Sequence, residues 1–493
     1  MKKTILLFMP NPSEDRKRET PLNLIAISVF LEKEGYDIKI FHSFDKNQAL
    51  MYADKALCVG ITAMTGYQIY DGLQFAKLVR EKNPNVPIVW GGIHPTIKPI
   101  QTVEHPLVDI VVKGQGEDTF TELVHRLNNN ESYDDIRGIT FKKDGKIIDN
   151  PTRPFKSIND YPLFPYHVLG DSIEQYIRKN NYASRSLVYI TSSGCVFNCA
   201  FCYLSNPAFS RKWDAYPAER VVDELEYLVK TYNIDGVEIR DSNFFVNKQR
   251  VLDICSGLLE RNIHLSFSTV NGRADQLAGY TDDEWKLLRK AGIRELLIGA
   301  ESGDKETLNL INKQLSIDMA IECNRKARKY DIDILNSFMT SFPTIPPKKE
   351  LNNTFELICR IFKVNPLAKT FLFFYTPYPG TSLYELALQQ GFKEPKNLEE
   401  WGGFGLTSVT TPWTSKSHIG KVLLLKDLFV LKRIISENHL KLKKSWKHLL
   451  LKKMGIYALL NWWIDLRFKY KFYFFPIERI LSFYQNRKTR EEK

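Results

Sequence analysis

The chain has 493 residues, of which 43% are hydrophobic, 26% charged and 12% aromatic. That length predicts two or three domains of ordinary globular composition and excludes a disordered chain, a collagen or a disulfide-stapled mini-protein. The net charge is +12, and residues 421–493 carry all of it, with 18 Lys and Arg against 6 Asp and Glu. Because the rest of the chain is balanced, we expect no nucleic-acid partner for the catalytic body and a separate partner for the basic tail.

Residues 1–130 alternate β-type runs with helical patterns. Strands are predicted at 4–9, 36–41, 56–63, 86–90 and 110–112, and helices at 22–34, at 70–82 and from 118 onwards. This alternation predicts a doubly wound, flavodoxin- or Rossmann-like parallel sheet. The apolar run at residues 5–9 is shorter than the apolar core of a signal peptide, so we expect a cytoplasmic protein.

Small and polar residues follow several of these strands. Parallel sheets bind ligands at the carboxyl ends of their strands, and glycine there lets the backbone approach a bulky, phosphate-bearing ligand. A tight turn alone explains any one such loop, whereas four loops at one edge favour a ligand site. The candidate residues are Thr62, Thr65, Gly91, Gly92, His94, Gly114, Gly116 and Glu117.

Residues 131–185 are predicted to be a linker with a β-hairpin, whose strands flank Asp144 and Gly145. A second β/α series fills residues 186–390, with strands expected at 186–191, 237–240, 265–270, 296–300, 334–340 and 370–375. Six such units predict an incomplete (β/α)6 barrel with its active site at the carboxyl ends of the strands.

Three of the seven cysteines form a CxxxCxxC loop directly after the first barrel strand: Cys195, Cys199 and Cys202. Three thiolates at this spacing can hold three corners of a [4Fe-4S] cluster and leave the fourth iron open. A structural zinc ion is the alternative, but it requires four ligands, and the next cysteine is Cys255.

This loop, with an aromatic residue before its last cysteine, resembles that of the radical S-adenosylmethionine (SAM) enzymes. The resemblance implies that the open iron binds SAM and that the reduced cluster cleaves SAM to a 5′-deoxyadenosyl radical. It also implies SAM contacts from residues in the cysteine loop and after the following strands: Phe201, Asp241, Asn243, Arg273 and Glu301. No catalytic side chain can be assigned from the sequence.

The stretches 59–66, 90–96 (WGGIHPT) and 113–120 (KGQGEDTF) resemble the cobalamin-binding subfamily of these enzymes, and the likeness extends over residues 1–390. It implies that the glycine-rich loops hold cobalamin. The sequence lacks a DxHxxG motif, so we do not expect His94 to ligate cobalt.

The function that this resemblance implies is methylation of an unactivated carbon, with a flavodoxin- or ferredoxin-type electron donor. Two alternatives remain open. One is a cobalamin radical SAM reaction without methylation, such as oxidative cyclisation of a porphyrin-like substrate. The other is a cobalamin- or lipid-binding protein that has lost catalysis.

Residues 391–493 are predicted to form a helical, basic and aromatic extension, with a helix over 419–435. Its longest uncharged run, 454–464, is too short to span a bilayer. Lys and Arg beside Trp, Tyr and Phe suit peripheral binding to an anionic membrane, here the inner face. The alternative is a lid over the barrel. Either role predicts a large, apolar substrate, which is a small molecule or a lipid.

Overall fold

A computed structural model of the chain describes residues 3–13, 18–209, 212–405, 411–440 and 456–470. The chain divides into two compact units, the first comprising Met1–Val237 and Thr376–Val409, and the second Glu238–Tyr375 and Thr410–Lys493. The cysteine loop and all the predicted cobalamin residues belong to the first unit. The predicted SAM residues other than Phe201 belong to the second.

A single sheet forms the centre of the first unit. Its strands are β1 (Thr4–Met9), β2 (Asp37–His42), β3 (Ala56–Thr62), β4 (Ile88–Gly91), β5 (Ile110–Val112), β6 (Ile139–Lys143) and β7 (Lys146–Asp149). They lie in the order β2-β1-β3-β4-β5-β6-β7. Strands β1 to β5 are parallel, and β6 and β7 are antiparallel, so the predicted hairpin forms an edge of this sheet.

The helices between these strands cover the sheet and bury most residues of its central strands. They are α1 (Leu22–Ile27), α2 (Val29–Lys33), α3 (Lys46–Leu50), α4 (Tyr67–Lys82), α5 (Ile93–Ile97), α6 (Pro99–Glu104) and α7 (Glu117–Asn129). The helix predicted over 22–34 is divided at Ser28, whose hydroxyl donates to the carbonyl oxygen of Ile25 at 2.7 Å. A side-chain bond to the preceding turn competes with the helix ladder and interrupts it.

The rest of the first unit carries the cysteine loop and a returning segment. Its elements are β8 (Ser186–Tyr189), β9 (Ser192–Ser193), β10 (Asp214–Ala215), α8 (Ala218–Tyr232), α15 (Ser382–Gln389) and α16 (Leu398–Gly402), and β11 (Gly236–Ile239) crosses the boundary between the units. Short 3-10 helices lie at Ser43–Asp45, Ile158–Asp160, Tyr166–Gln175, Tyr203–Ser205 and Pro207–Phe209.

The second unit continues the β/α alternation. Its elements are α9 (Lys248–Glu260), β12 (Ser266–Ser268), β13 (Val270–Gly272), α10 (Ala274–Ala278), α11 (Asp282–Lys290), β14 (Glu295–Glu301), α12 (Lys305–Leu310), α13 (Ile317–Lys329), β15 (Asp333–Thr340), α14 (Pro347–Val364), β16 (Lys369–Phe374), α17 (Lys416–Leu440) and α18 (Ile456–Tyr470). Strands β13 to β16 pair in parallel in that order. The strand predicted over 265–270 is interrupted at Thr269, whose φ of +55° breaks the extended backbone.

The predicted fold class, a doubly wound sheet followed by a series of parallel β/α units, is confirmed. Helix α17 contains the predicted helix over 419–435, and Val422, Leu425 and Leu428 bury its apolar side. In the described part of the chain, no helix is long and apolar enough to cross a membrane.

Candidate cofactor sites

One cavity of the first unit has several stretches of bare backbone in its wall. Six of its lining residues are glycines, namely Gly60, Gly91, Gly92, Gly114, Gly116 and Gly194. Thr62 and Glu117 line it as well, so six of the eight predicted cobalamin residues converge here. Because glycine has no Cβ, a flat macrocycle can approach such a wall closely. The cavity therefore fits a corrin.

The other two predicted cobalamin residues, Thr65 and His94, do not line this cavity but pair with each other. Thr65 Oγ1 and His94 Nδ1 lie 2.9 Å apart. The His94 ring is fully buried, and its centroid lies 5.3 Å from that of Trp401. Burial lowers the pKa of His94 to about 3, so the ring is neutral at physiological pH. His94 is a buried part of its loop rather than a group that faces the cavity.

Two glycines of the cavity differ in what surrounds them. Gly92 has a φ of +101°, and a Cβ there would lie 2.8 Å from the Ala63 carbonyl oxygen and 2.9 Å from Thr62 Oγ1. Gly114 has a φ of +70°, but the nearest atom to its Cβ would be the Ala208 carbonyl oxygen at 3.5 Å, an ordinary contact. The protein itself requires glycine at position 92, while position 114 has room for a methyl group.

Polar groups also reach the cavity. Glu117 begins α7 and is half-buried, and burial raises the pKa of its carboxyl group. Thr62 Oγ1 accepts a hydrogen bond from the side-chain amide of Asn23, which lines the same cavity. A mostly apolar wall with a few placed polar groups is typical of a cofactor site.

The loop with the three cysteines is closed at its base by β9 and β10. Ser193 pairs with Asp214 and Ser192 with Ala215 in antiparallel register. Gly194, directly after β9, has a φ of +79°, and a Cβ there would lie only 1.8 Å from the Lys212 carbonyl oxygen. Only glycine allows the two sides of the loop to come this close.

Hydrogen bonds fix the inside of this loop. The Cys202 amide donates to the Cys199 carbonyl oxygen at 3.0 Å, and the Ser205 hydroxyl donates to the Cys202 carbonyl oxygen at 2.7 Å. The returning segment holds the loop from outside, since the Leu383 amide donates to the Ala200 carbonyl oxygen at 3.0 Å. Cys199 is buried, whereas Cys195, Cys202 and Phe201 are half-buried.

The donor set of this loop suits a cluster better than a single ion. Among the described residues, no three His, Cys, Asp or Glu side chains lie close enough to hold one metal ion. A structural zinc ion takes four protein ligands, whereas this loop offers three thiolates. Three thiolates suit a [4Fe-4S] cluster with one open iron.

Four predicted SAM residues lie at or just beyond strand ends, and two of them are hydrogen-bonded to β13 and α10. Asp241 and Asn243 are buried. The Asn271 side chain donates to the Asp241 carbonyl oxygen at 2.8 Å. Asn243 donates from Nδ2 to Gln276 Oε1 at 3.0 Å and accepts from the Phe245 amide at 3.1 Å. Asn243 is thus held by its neighbours on both sides.

Lys313 links the other two, Arg273 and Glu301. Its Nζ lies 2.9 Å from Glu301 Oε1 in a buried ion pair, and its carbonyl oxygen accepts from Arg273 NH2 at 2.6 Å. Arg273 also makes a two-pronged contact with Asp275. Lys313 is not predicted from the sequence, because a lysine twelve residues after Glu301 carries no pattern that marks it as buried.

Comparison with known proteins agrees with this organisation. Residues 189–358 match the family model described as the radical SAM superfamily, and residues 16–124 match the B12 binding domain. The fold resembles that of the radical SAM methyltransferase TsrM from Kitasatospora setae, solved with cobalamin and a [4Fe-4S] cluster bound, with a TM-score of 0.64, 17% identity and 84% of each chain covered. The protein is thus a radical SAM enzyme with an N-terminal B12-binding domain.

Two curated relatives cover most of the chain. The uncharacterized methyltransferase PH0819 of Pyrococcus horikoshii is 29% identical over 86% of this chain and 94% of its own length. The anaerobic magnesium-protoporphyrin IX monomethyl ester cyclase of Synechocystis sp. is 27% identical over 78% of this chain and 77% of its own length. This chain belongs to the cobalamin-binding radical SAM enzymes, and its cofactors are a [4Fe-4S] cluster, SAM and cobalamin.

Proposed function

We propose that this enzyme transfers a methyl group to an unactivated carbon of a fairly large, apolar substrate. The observation that carries the proposal is the composition of one cavity. Its wall combines the glycine loops of the B12-binding domain, such as Gly92 and Gly114, with Ser193 and Gly194 at the base of the cysteine loop. A methyl carrier and a radical generator that serve one substrate must lie close together, and these two loops share one cavity.

The side chains have separate roles in this proposal. Cys195, Cys199 and Cys202 hold the cluster, and the glycine wall with Thr62 and Glu117 holds cobalamin. Asp241, Asn243, Arg273 and Glu301 hold SAM, together with Phe201 in the cysteine loop. When bound, the cluster and SAM supply a carbon radical and cobalamin supplies the methyl group. The protein binds and orients these groups and excludes water from them.

The test is product analysis in a strain that lacks the gene. We expect a metabolite or lipid that is lighter by one methylene than its counterpart in the parent strain. The purified, reconstituted enzyme should then add one methyl group to this lighter compound. The assay supplies SAM with an isotopically labelled methyl group and a reduced flavodoxin or ferredoxin. A Cys199→Ala variant is the matched control, because it lacks one cluster ligand.

A second candidate is oxidative cyclisation of a porphyrin-like substrate, and similarity to the magnesium-protoporphyrin ester cyclase favours it. The labelled methyl group separates the two reactions, since methylation moves the label into the product and cyclisation does not. If the reconstituted protein does not cleave SAM at all, both enzymatic candidates fail and a binding protein without catalysis is favoured.

We infer that the enzyme is cytoplasmic and that it binds the inner face of the membrane through its basic tail. Leu459, Trp462 and Tyr470 of α18 are 64%, 57% and 64% exposed and share one face of the helix. Exposed aromatic residues in a segment with a large basic excess suit the boundary of an anionic bilayer.

The test is sedimentation of the full-length protein with vesicles. We expect co-sedimentation with anionic vesicles, partial release by a few hundred millimolar salt, and loss of binding in a Leu459→Ser/Trp462→Ser variant. Met319→Ser removes an exposed apolar side chain from α13 and is the matched control. If neither anionic nor neutral vesicles bind the protein, the exposed face belongs to a lid instead.

A further inference from the structure

A buried carboxyl group connects the ends of two strands in the second unit. Glu350, in the first turn of α14, is fully buried. Its Oε1 accepts from Thr354 Oγ1 at 2.9 Å and from Ser302 Oγ at 3.3 Å. Its Oε2 accepts from the Thr340 hydroxyl and from the Ser341 amide, the latter at 3.4 Å. Ser302 follows β14, and Ser341 follows β15, so one side chain bridges both ends.

The backbone at these two strand ends is strained. Glu301 has a φ of +63° and Ser341 a φ of +68°. Residues with a side chain rarely adopt this left-handed region, and they keep it only where the surrounding structure holds them there. Such conformations concentrate at active sites and ligand clamps.

Two other residues of α14 form hydrogen bonds with the loop that follows β14. Thr354 Oγ1 accepts from the Gly303 amide at 3.0 Å, and Asn353 Nδ2 donates to Asp304 Oδ1 at 2.6 Å. A Cβ on Gly303 would lie 2.2 Å from the Asn353 carbonyl oxygen, so the loop lies directly on the helix. The backbone next to Glu301 is therefore fixed in position by its contacts with α14.

We propose that Glu350 is a positioning residue for the SAM site, because it holds the strained backbone that presents Glu301 and its partner Lys313. Burial of a carboxyl group costs free energy, whereas burial of an apolar side chain of similar size does not. Three of the four hydrogen bonds of Glu350 go to the ends of two strands, and this explains why a carboxyl group occupies this place. This inference rests on the proposed function in one respect, the role of Glu301 as a SAM contact.

The test compares binding by the full-length, reconstituted protein without reductant, so that no turnover occurs. Equilibrium dialysis measures the Kd for SAM and for S-adenosylhomocysteine. We expect Glu350→Ala to raise both values about tenfold, the equivalent of about 1.4 kcal/mol. Glu350→Gln keeps one oxygen and the shape of the side chain, and should restore the affinity to within about threefold. Iron and cobalamin content should not change in either variant.

Two further variants keep the test decisive. Glu356→Ala removes an exposed carboxylate from the same helix and is the matched control. Ser302→Ala removes one link to Glu350 with little change in volume, and should weaken SAM binding a few-fold even if Glu350→Ala does not fold. If Glu350→Ala folds, native SAM affinity in both Glu350→Ala and Ser302→Ala would overturn the positioning role. If Glu350→Ala does not fold, native SAM affinity in Ser302→Ala alone would overturn it. Failure of the unaltered protein to bind SAM would instead overturn the proposed function.

Discussion

Substitution of Gly194 by alanine should disrupt the cysteine loop without touching any cysteine. The added Cβ would lie 1.8 Å from the Lys212 carbonyl oxygen, where real Cβ contacts are no shorter than 3.0 Å. The two sides of the loop would have to separate by more than about 1 Å, which breaks the β9–β10 pairing at its base. The left-handed backbone of an alanine at position 194 destabilises the folded loop by a further amount on the order of 1–2 kcal/mol.

Gly145 provides a matched control for the backbone strain. It has a φ of +73°, close to the +79° of Gly194, but nothing lies within 4 Å of its added Cβ. Gly145→Ala should therefore cost about 1 kcal/mol and leave the cofactors unchanged. The assay is iron content and charge-transfer absorbance after anaerobic reconstitution. We expect Gly194→Ala to lose most of both, and native iron content in that variant would refute the steric argument.

Three other predictions follow from the same geometry. Alanine at any one of Cys195, Cys199 and Cys202 should remove the iron and the charge-transfer absorbance, whereas Cys255→Ala should not, and equal losses in all four variants would contradict a three-thiolate cluster. Gly92→Ala should lower the thermal midpoint of the apo protein markedly, whereas Gly114→Ala should lower it only by the strain of its φ of +70° and should reduce the hydroxocobalamin retained on gel filtration. Burial raises the pKa of Glu350 from 4.5 to about 7, so between these pH values the native state holds a proton that the unfolded state releases. Relative to Glu350→Gln, the free energy of unfolding of the apo protein should then fall by up to about 3 kcal/mol as the pH rises through this window, and denaturant titrations that show parallel pH profiles would exclude the effect.

The sequence predicts the parallel sheet of the first unit well because its central strands are buried on both faces along most of their length. Strand β1 (Thr4–Met9) has all six residues buried, and such a strand is read directly from an unbroken apolar run. The interruptions are harder to predict. Ser28 divides a helix through one side-chain bond, and Thr269 divides a strand through one backbone angle. Neither event changes the hydrophobic pattern from which the elements are inferred.

Some residues of the candidate sites could also be predicted from the sequence, and others could not. The residues after β3, β4 and β5 converge on one cavity because the ends of neighbouring parallel strands share an edge, and strand order alone places them together. Lys313 and Glu350 could not be found in this manner. Each is defined by partners on other elements, and a buried lysine or glutamate looks in the sequence like any surface charge.

Some glycines of this protein are required by its own fold and others are not, and the sequence alone does not distinguish the two kinds. Gly92 and Gly194 are required by the chain itself, since an added Cβ would collide with Ala63 or Lys212. Gly91 is different, because the nearest atom to an added Cβ would be 3.6 Å away and its φ is not in the left-handed region. Gly114 has similar room, with its nearest atom at 3.5 Å, but its φ of +70° by itself favours glycine. Both glycines line the cavity into which the corrin is proposed to fit. Neither packing nor backbone conformation explains the glycine at position 91, whereas a ligand that approaches the end of β4 closely would require one.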